Sequence, residues 1–505
     1  MVTIVNKIAS FVVNSYVNKV EEIRTQPIEA QQRVFKYLIE RGKKTEYGQK
    51  FDFKNIKTYE DFRAKVPVVI YEELEPEIER ARRGTADVLW PGKVQWFAKS
   101  SGTTNAKSKF IPITKESLEQ NHFTSGKMLF ANYLQNHPDT AMFTKKNLRI
   151  GGSADLYQEY GTKYGDLSAI MIDNLPFWAD YMNTPNKEIS LLSDWNVKLD
   201  AIAQAVIKEG VGSLTGVPSW MLVLLNHCLS LTGKEHLHEI WPDLEVFFHG
   251  GISFKPYLKN YEEICGKEMR YYEIYNASEG YFSMQDLPDS KDMLLMLNTG
   301  IFFEFIPMEE GALNARKAVP LQEVELNKNY AIVISTIGGL WRYMIGDTVK
   351  FKSINPYRIV VSGRTKHYIN AFGEEIIIEN AEEALDFASN ETGAKIKEYT
   401  GAPIFMHDKE KGAHEWVIEF EREPNDFEQF KILFDQKLKE INSDYEAKRY
   451  NNMTLNFPSI HMGRKDLFYD WMESRGKLGG QNKVPRLCND REYIDPLLRL
   501  NQTES

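Results

Sequence analysis

Apolar residues recur along this chain with two periods, and the change from one to the other marks its parts. In the first hundred residues the spacing is helical. Ile4, Ile8, Phe11, Val12 and Ser15 to Val17 sit at helical spacing, which predicts a docked amphipathic helix rather than a leader peptide. Pro27 opens a segment with Val34, Leu38 and Ile39 on one face, the place a first-turn proline takes. Thr58-Tyr-Glu-Asp begins a further helix, and 71–83 reads as a charged surface helix. Over 115–134, Leu118, His122, Ser125, Leu129 and Tyr133 keep helical spacing. That makes His122 a packed histidine rather than a catalytic one.

Between 150 and 360 short apolar runs ending in glycine replace this pattern. Residues 151–178 mix glycine, tyrosine and apolar positions, which suggests strands and a loop lining a cleft. Residues 214–225 end a strand and begin an apolar helix. Leu244-Glu-Val-Phe-Phe-His-Gly-Gly is a strand running into Gly250-Gly251, and 269–275 is another that feeds Asn-Ala-Ser-Glu-Gly. Glycines at a strand's C-terminal end let backbone approach a ligand closely. Residues 331–336 form a buried strand closed by Gly338-Gly339, and Gly346-Asp347 reads as a turn before the alternating Val349 and Phe351. From 369 onward short strands and helices alternate, with Asn425-Asp-Phe-Glu428 as a capping box before a helix bearing Phe427, Phe430, Phe434, Leu438 and Ile441. The expected fold is α/β: a large N-terminal multi-sheet α/β domain over 1–362, a connector at 363–368 and a smaller C-terminal α/β domain over 369–505.

A chain of 505 residues is too long for one core. Its 42% hydrophobic and 26% charged content is ordinary for a globular protein. The net charge of −9 argues against a nucleic-acid partner, which demands a basic surface. No apolar run approaches the ~18 residues of a membrane span. Cys228, Cys265 and Cys488 are far apart and odd in number, as expected in a reducing cytoplasm. His236 and His238 flank a leucine without further ligands nearby, a poor metal site.

The densest candidate chemistry lies between Phe97 and Pro112. Ser100, Ser101, Thr103 and Thr104 surround Gly102, and Lys107 and Lys109 follow. Backbone N–H groups, hydroxyls and ammonium groups aimed at one centre suit a polyphosphate, or make a plain polar turn. It is not a Walker A loop, because no Gly-Lys pair in the chain precedes Ser or Thr.

Ser-Ser-Gly-Thr-Thr with spaced lysines resembles the first nucleotide motif of the GH3 acyl acid amido synthetases, within the acyl-adenylate-forming superfamily, here as a bacterial member. Ala106 stands where the family usually has glycine. The resemblance continues in Tyr275-x-x-Ser278-Glu279-Gly280, in Tyr343-x-x-Gly346-Asp347 and in Gly363-Arg364-Thr-Lys366. The last of the five is Gly480-Gln-x-Lys483-x-Pro-Arg486. Met344 replaces a usual arginine, with Arg342 a possible substitute, and Lys366 replaces the hinge aspartate.

What the resemblance implies is an ATP- and Mg2+-dependent ligase that adenylates a small carboxylic acid and transfers the acyl group to an amine, an amino acid by expectation. Ser100 to Thr104, Lys107 and Lys109 would hold phosphates beside Gly250 and Gly251. Tyr275 would stack on the purine, Ser278 bond phosphate, Glu279 hold Mg2+ and Asp347 accept from the ribose hydroxyls. Arg364 would join the nucleotide site, and Arg364 and Lys366 the hinge. Lys483, Glu279 and Ser101 would be catalytic, and Val217, Trp220 and Met221 would line the acyl pocket. Neither nucleic acid nor membrane is expected as a partner, and the oligomer is a monomer or weak dimer. A thioester ligase such as an acyl-CoA ligase, or a nucleotide-binding regulator without turnover, are the alternatives.

Overall fold

The computed structural model describes the chain apart from residues 1–14, 101–108, 152–155, 193–194, 256, 309–312, 314–315, 366–367, 375, 407–410, 450–454, 475–484 and 503–505. The first expected helix lies partly outside these; its remainder, 15–25, is helical and sinks Val20 and Ile23 into the core. The helix Pro27–Gly42 carries its proline in the first turn and buries Val34, Leu38 and Ile39. Thr58 caps Tyr59–Lys65 in a reciprocal box with Asp61, so two amide donors at that end are satisfied at once. Tyr71–Arg82 buries Tyr71, Leu74, Ile78 and Ala81 along one face.

A twelve-stranded sheet organises the large body. One half is parallel: Asn183–Thr184, Lys146–Arg149, Val211–Gly216, Val246–Gly250 and Arg270–Ala277 lie side by side. Arg270–Ala277 then turns back antiparallel into Gly280–Met284, and the rest of the sheet is antiparallel through Asn329–Thr336, Tyr343–Ile354 and Tyr357–Arg364. Parallel strands end at a common edge, where open α/β sheets bind ligands. The Gly-Asp turn expected at 346–347 is not there. Tyr343–Ile354 runs straight through it as one strand, and the ladder to its neighbour slips register across this stretch. Gly346 with φ of +97° absorbs the irregularity, a backbone setting open to glycine.

Trp96–Ser100 and Lys109–Ile113 form an antiparallel pair, Ser100 opposite Lys109. The C-terminal region builds its own sheet, Lys395–Ile404 antiparallel to Ala413–Arg422, which runs parallel to Ser459–Gly463. The helix Phe427–Ile441 buries Phe430, Phe434 and Leu438. Its cap is Asp426, whose side chain accepts from Gln429 N, rather than the expected box begun by Asn425. One apolar cluster runs from Leu148, Leu224 and Tyr257 of the body to Phe372, Trp416 and Phe434 of the C-terminal part. Tyr257 donates to Ala371 O at 2.6 Å and Trp220 Nε1 to Phe372 O at 3.2 Å across that join. Among the described residues no helix is long and apolar enough to cross a membrane.

Candidate active site

The C-terminal edge of the parallel strands opens into a cavity of about 1910 Å³. Gly250 and Gly251 line it at the end of Val246–Gly250. A Cβ on Gly250 would lie 2.3 Å from the carbonyl oxygen of Ile274, and Gly251 holds φ of +85°. A side chain at Gly250 would displace backbone and one at Gly251 would strain its own, which leaves bare amides at the cavity rim.

Tyr275, Ser278 and Glu279 line the same cavity from the neighbouring hairpin, and Asp347 from the long strand. Tyr275 Oη donates to Asp347 Oδ2 in a short hydrogen bond, while its ring meets Phe282 at 4.8 Å between centroids. Lys109 faces the cavity from one side of the Ser/Thr loop and Lys99 from the other. Ser101, Gly102, Thr103, Thr104 and Lys107 lie outside the described residues, as do Lys366 and Lys483 and the side chains of Ser100 and Arg364. The backbone of Arg364 pairs with Asp347.

Val217 and Trp220 border the cavity, but Met221 does not: it is fully buried in the core cluster. Arg342 cannot substitute for the arginine replaced by Met344. Its guanidinium is buried against Glu304 at 2.7 Å and donates to Val66 O and Arg63 O, so it is consumed in joining the N-terminal helices to the sheet.

His122 is buried as expected, yet it also lines the cavity. It sits in the π-helical segment Ser117–Phe123 with Nδ1 3.2 Å from Asn276 Oδ1, and burial pushes its pKa down to about 4. It is a neutral imidazole near neutrality. Glu273, two residues before Tyr275 and so on the same strand face, also lines the cavity, with its carboxyl pKa raised by burial. Period-two alternation would have found Glu273 from the sequence. Lys99 and Arg149 carried no motif that singled them out.

Mg2+ prefers one or two carboxylates together with substrate phosphate oxygens. Glu279, on the cavity wall, is one carboxylate of that kind, with the remaining ligands left to phosphate oxygens. Among the described residues there is no cluster of three or more His, Cys, Asp or Glu able to enclose a metal by itself.

The fold is that of the adenylate-forming ligases. The structure titled AtGH3.15 acyl acid amido synthetase in complex with 2,4-DB matches with a TM-score of 0.62 at 17% identity, over 97% of this chain and 96% of that one. A 2-hydroxyisobutyryl-CoA ligase in complex with 2-HIB-AMP and CoA matches with 0.59 at 14% identity, over 96% and 94%. The chain belongs to the GH3 family: the models of the family's N-terminal, central and C-terminal domains match residues 16–269, 294–364 and 379–492. Its relatives include indole-3-acetic acid-amido synthetase GH3.4 of Arabidopsis thaliana, 23% identical over 95% of this chain and 92% of that one. Jasmonoyl–L-amino acid synthetase JAR4 of Nicotiana attenuata is 24% identical over 70% and 72%.

Proposed function

We propose that this protein is an ATP-dependent acyl acid amido synthetase that adenylates a small carboxylic acid and passes the acyl group to an amine, with an amino acid as the acceptor class. The observation that carries the reading is that Gly250, Gly251, Tyr275, Ser278, Glu279, Asp347 and Lys109 line one cavity. A carboxylate is a poor electrophile. Its oxygen attacks the α-phosphorus of ATP, the bond to the bridging oxygen breaks, and its electron pair leaves with pyrophosphate. The amine nitrogen then adds to the acyl carbon, the C–O bond to AMP breaks with its electrons on AMP, and the nitrogen loses its extra proton.

The residues contribute charge and position. Asp347, oriented by the Tyr275 hydroxyl, accepts from the ribose hydroxyls, and the ring of Tyr275 faces the purine. Ser278 and the amides at Gly250 and Gly251 approach phosphate oxygens. Lys109, with Ser100 to Thr104 and Lys107, holds the departing pyrophosphate. One cation at ~4 Å is worth about 4 kcal/mol at an effective dielectric of ~20 before desolvation, so several are needed. Mg2+ held by Glu279 would neutralise charge between phosphates. Lys483 reaches the reacting phosphate, and Arg364 and Lys366 belong to a hinge at 363–368 about which a cap of 369–505 turns against a body of 1–362.

The three unpaired cysteines support a cytoplasmic setting; the proposed state is monomer or weak dimer. A thioester ligase shares the first half-reaction, and its fold matches almost equally well. Incubation with ATP, mixed carboxylic acids and either amino acids or coenzyme A, with product mass as readout, separates the two. Amides support the proposal; thioesters alone, or no acid-dependent pyrophosphate, refute it.

A further inference from the structure

One wall of the cavity is polar where an acyl pocket has reason to be apolar. Along Lys146–Arg149 and Val211–Gly216 side chains alternate, and Asn147 stands opposite Ser213 and Arg149 opposite Thr215. Leu148 and Leu214, on the other face, are fully buried in the core. Asn147, Arg149, Ser213 and Thr215 all line the cavity, which also takes in the apolar side chains of Phe130, Met171 and Met182.

The wall is held in place by its own hydrogen bonds. Asn147 Oδ1 accepts from Ser213 Oγ at 3.0 Å and Thr215 Oγ1 at 2.9 Å, and Asn147 Nδ2 donates to Asn183 Oδ1 at 2.9 Å. Both acceptor positions of the amide are thereby filled, and the hydroxyl oxygens keep lone pairs toward the cavity. Arg149 is different. Its side chain is 12% exposed and makes one contact among the described residues, Nη2 to Asp180 Oδ1 at 2.9 Å. Among the described residues its buried Nε has no partner. A guanidinium has five N–H donors, and burial already pulls its pKa down. Most of its donor capacity is unspent at a cavity wall, where an unmade hydrogen bond is costly. Because Asp180 neutralises the charge, the vacancy suits a neutral acceptor better than a second carboxylate.

We propose that Arg149, with the Ser213 and Thr215 hydroxyls, forms a polar subsite that receives a hydroxyl substituent on an otherwise apolar acyl acid, the substituent accepting from the guanidinium and donating to a wall hydroxyl. This deepens the ligase reading and rests on it for the word acyl. Sites built to hydrogen-bond a substrate group reject the analogue lacking it far more strongly than apolar pockets reject one methylene.

The test is calorimetric titration, without ATP, of phenylacetic acid and phenylpropanoic acid against their para-hydroxy derivatives. The wild-type protein is compared with the double variant Arg149→Met/Asp180→Asn, which leaves no buried unpaired charge, and with Ser213→Ala/Thr215→Val. The wild type is expected to favour the hydroxylated acid of a pair by roughly tenfold or more, and both variants to bring the ratio toward one. A wild-type ratio near one, an unchanged ratio in folded variants, or no binding by any of these acids overturns the subsite. Acid-dependent pyrophosphate release, measured in parallel, keeps the readings apart. Selective binding without release leaves the subsite standing and sinks the ligase reading; release without selectivity does the reverse.

Discussion

Glu279, in a hairpin turn, and Asp347, on a strand that is not a neighbour of that hairpin, reach one cavity. On the proposed reading each carries a separate part of ATP binding, so Glu279→Ala and Asp347→Ala should each lower acid-dependent pyrophosphate release by about a hundredfold or more. Both should keep the wild-type melting temperature within a few degrees; normal rates in both would refute the site. His122 gives a pH prediction. Its pKa lies at about 4 in the fold against an ordinary 6.5, so the neutral form contributes stability above pH 6.5 that is lost as pH falls through 4. The full difference is about 3 kcal/mol. Thermal melts of wild type and His122→Gln should diverge in slope over that window, the wild type losing more; parallel slopes would mean His122 is not held neutral. At this scale the places of Tyr275, Ser278, Glu279 and Asp347 on a cavity wall were legible, because each follows an apolar run. Met221 and Arg342 were not: which side of a helix turn faces the cavity, and that Glu304 claims the arginine, depend on partners far along the chain.

Local elements follow the sequence where one period dominates. The helix Pro27–Gly42 buries the stripe its spacing marks, and Phe427–Ile441 buries the middle of its own, with Phe427 and Ile441 half-buried at the ends. The stretch at 346–347 does not, because a glycine that ends a strand and one that carries a bulge look alike until the neighbouring strand supplies the register. Gly250 is the sharper test of an element. Gly250→Ala would put a Cβ 2.3 Å from Ile274 O, a clash with backbone of the adjacent parallel strand. A melting temperature lowered by several degrees, or lost ATP binding in a folded protein, is expected. An unaffected variant would mean that the strand end is slack and the glycine is not required. Asp426→Ala, removing a helix cap far from the cavity, should cost about 1 kcal/mol in denaturant melts without altering pyrophosphate release.

Across the whole molecule, alternation of strands and helices after 369 foretold a second α/β unit, but not how closely it packs on the first. The apolar cluster that spans both includes residues whose sequence positions give no hint of contact. Lys448 shows the join: nearly buried, its ammonium lies 3.9 Å from the centre of the Trp220 ring, and burial lowers its pKa. If the C-terminal unit turns between half-reactions, Lys448→Met should slow amide formation relative to pyrophosphate release by about 1 kcal/mol, roughly fivefold. Equal effects on both steps would argue that this contact takes no part in the change. The central claim is tested most directly by the fate of the acid's own oxygen. A carboxylic acid that drives pyrophosphate release is supplied with heavy-oxygen label in its carboxylate, together with ATP and an amino acid, and the AMP is weighed by mass spectrometry. One labelled oxygen in each AMP is the predicted result. Unlabelled AMP, or label appearing in inorganic phosphate beside ADP, would contradict an acyl adenylate formed in this cavity.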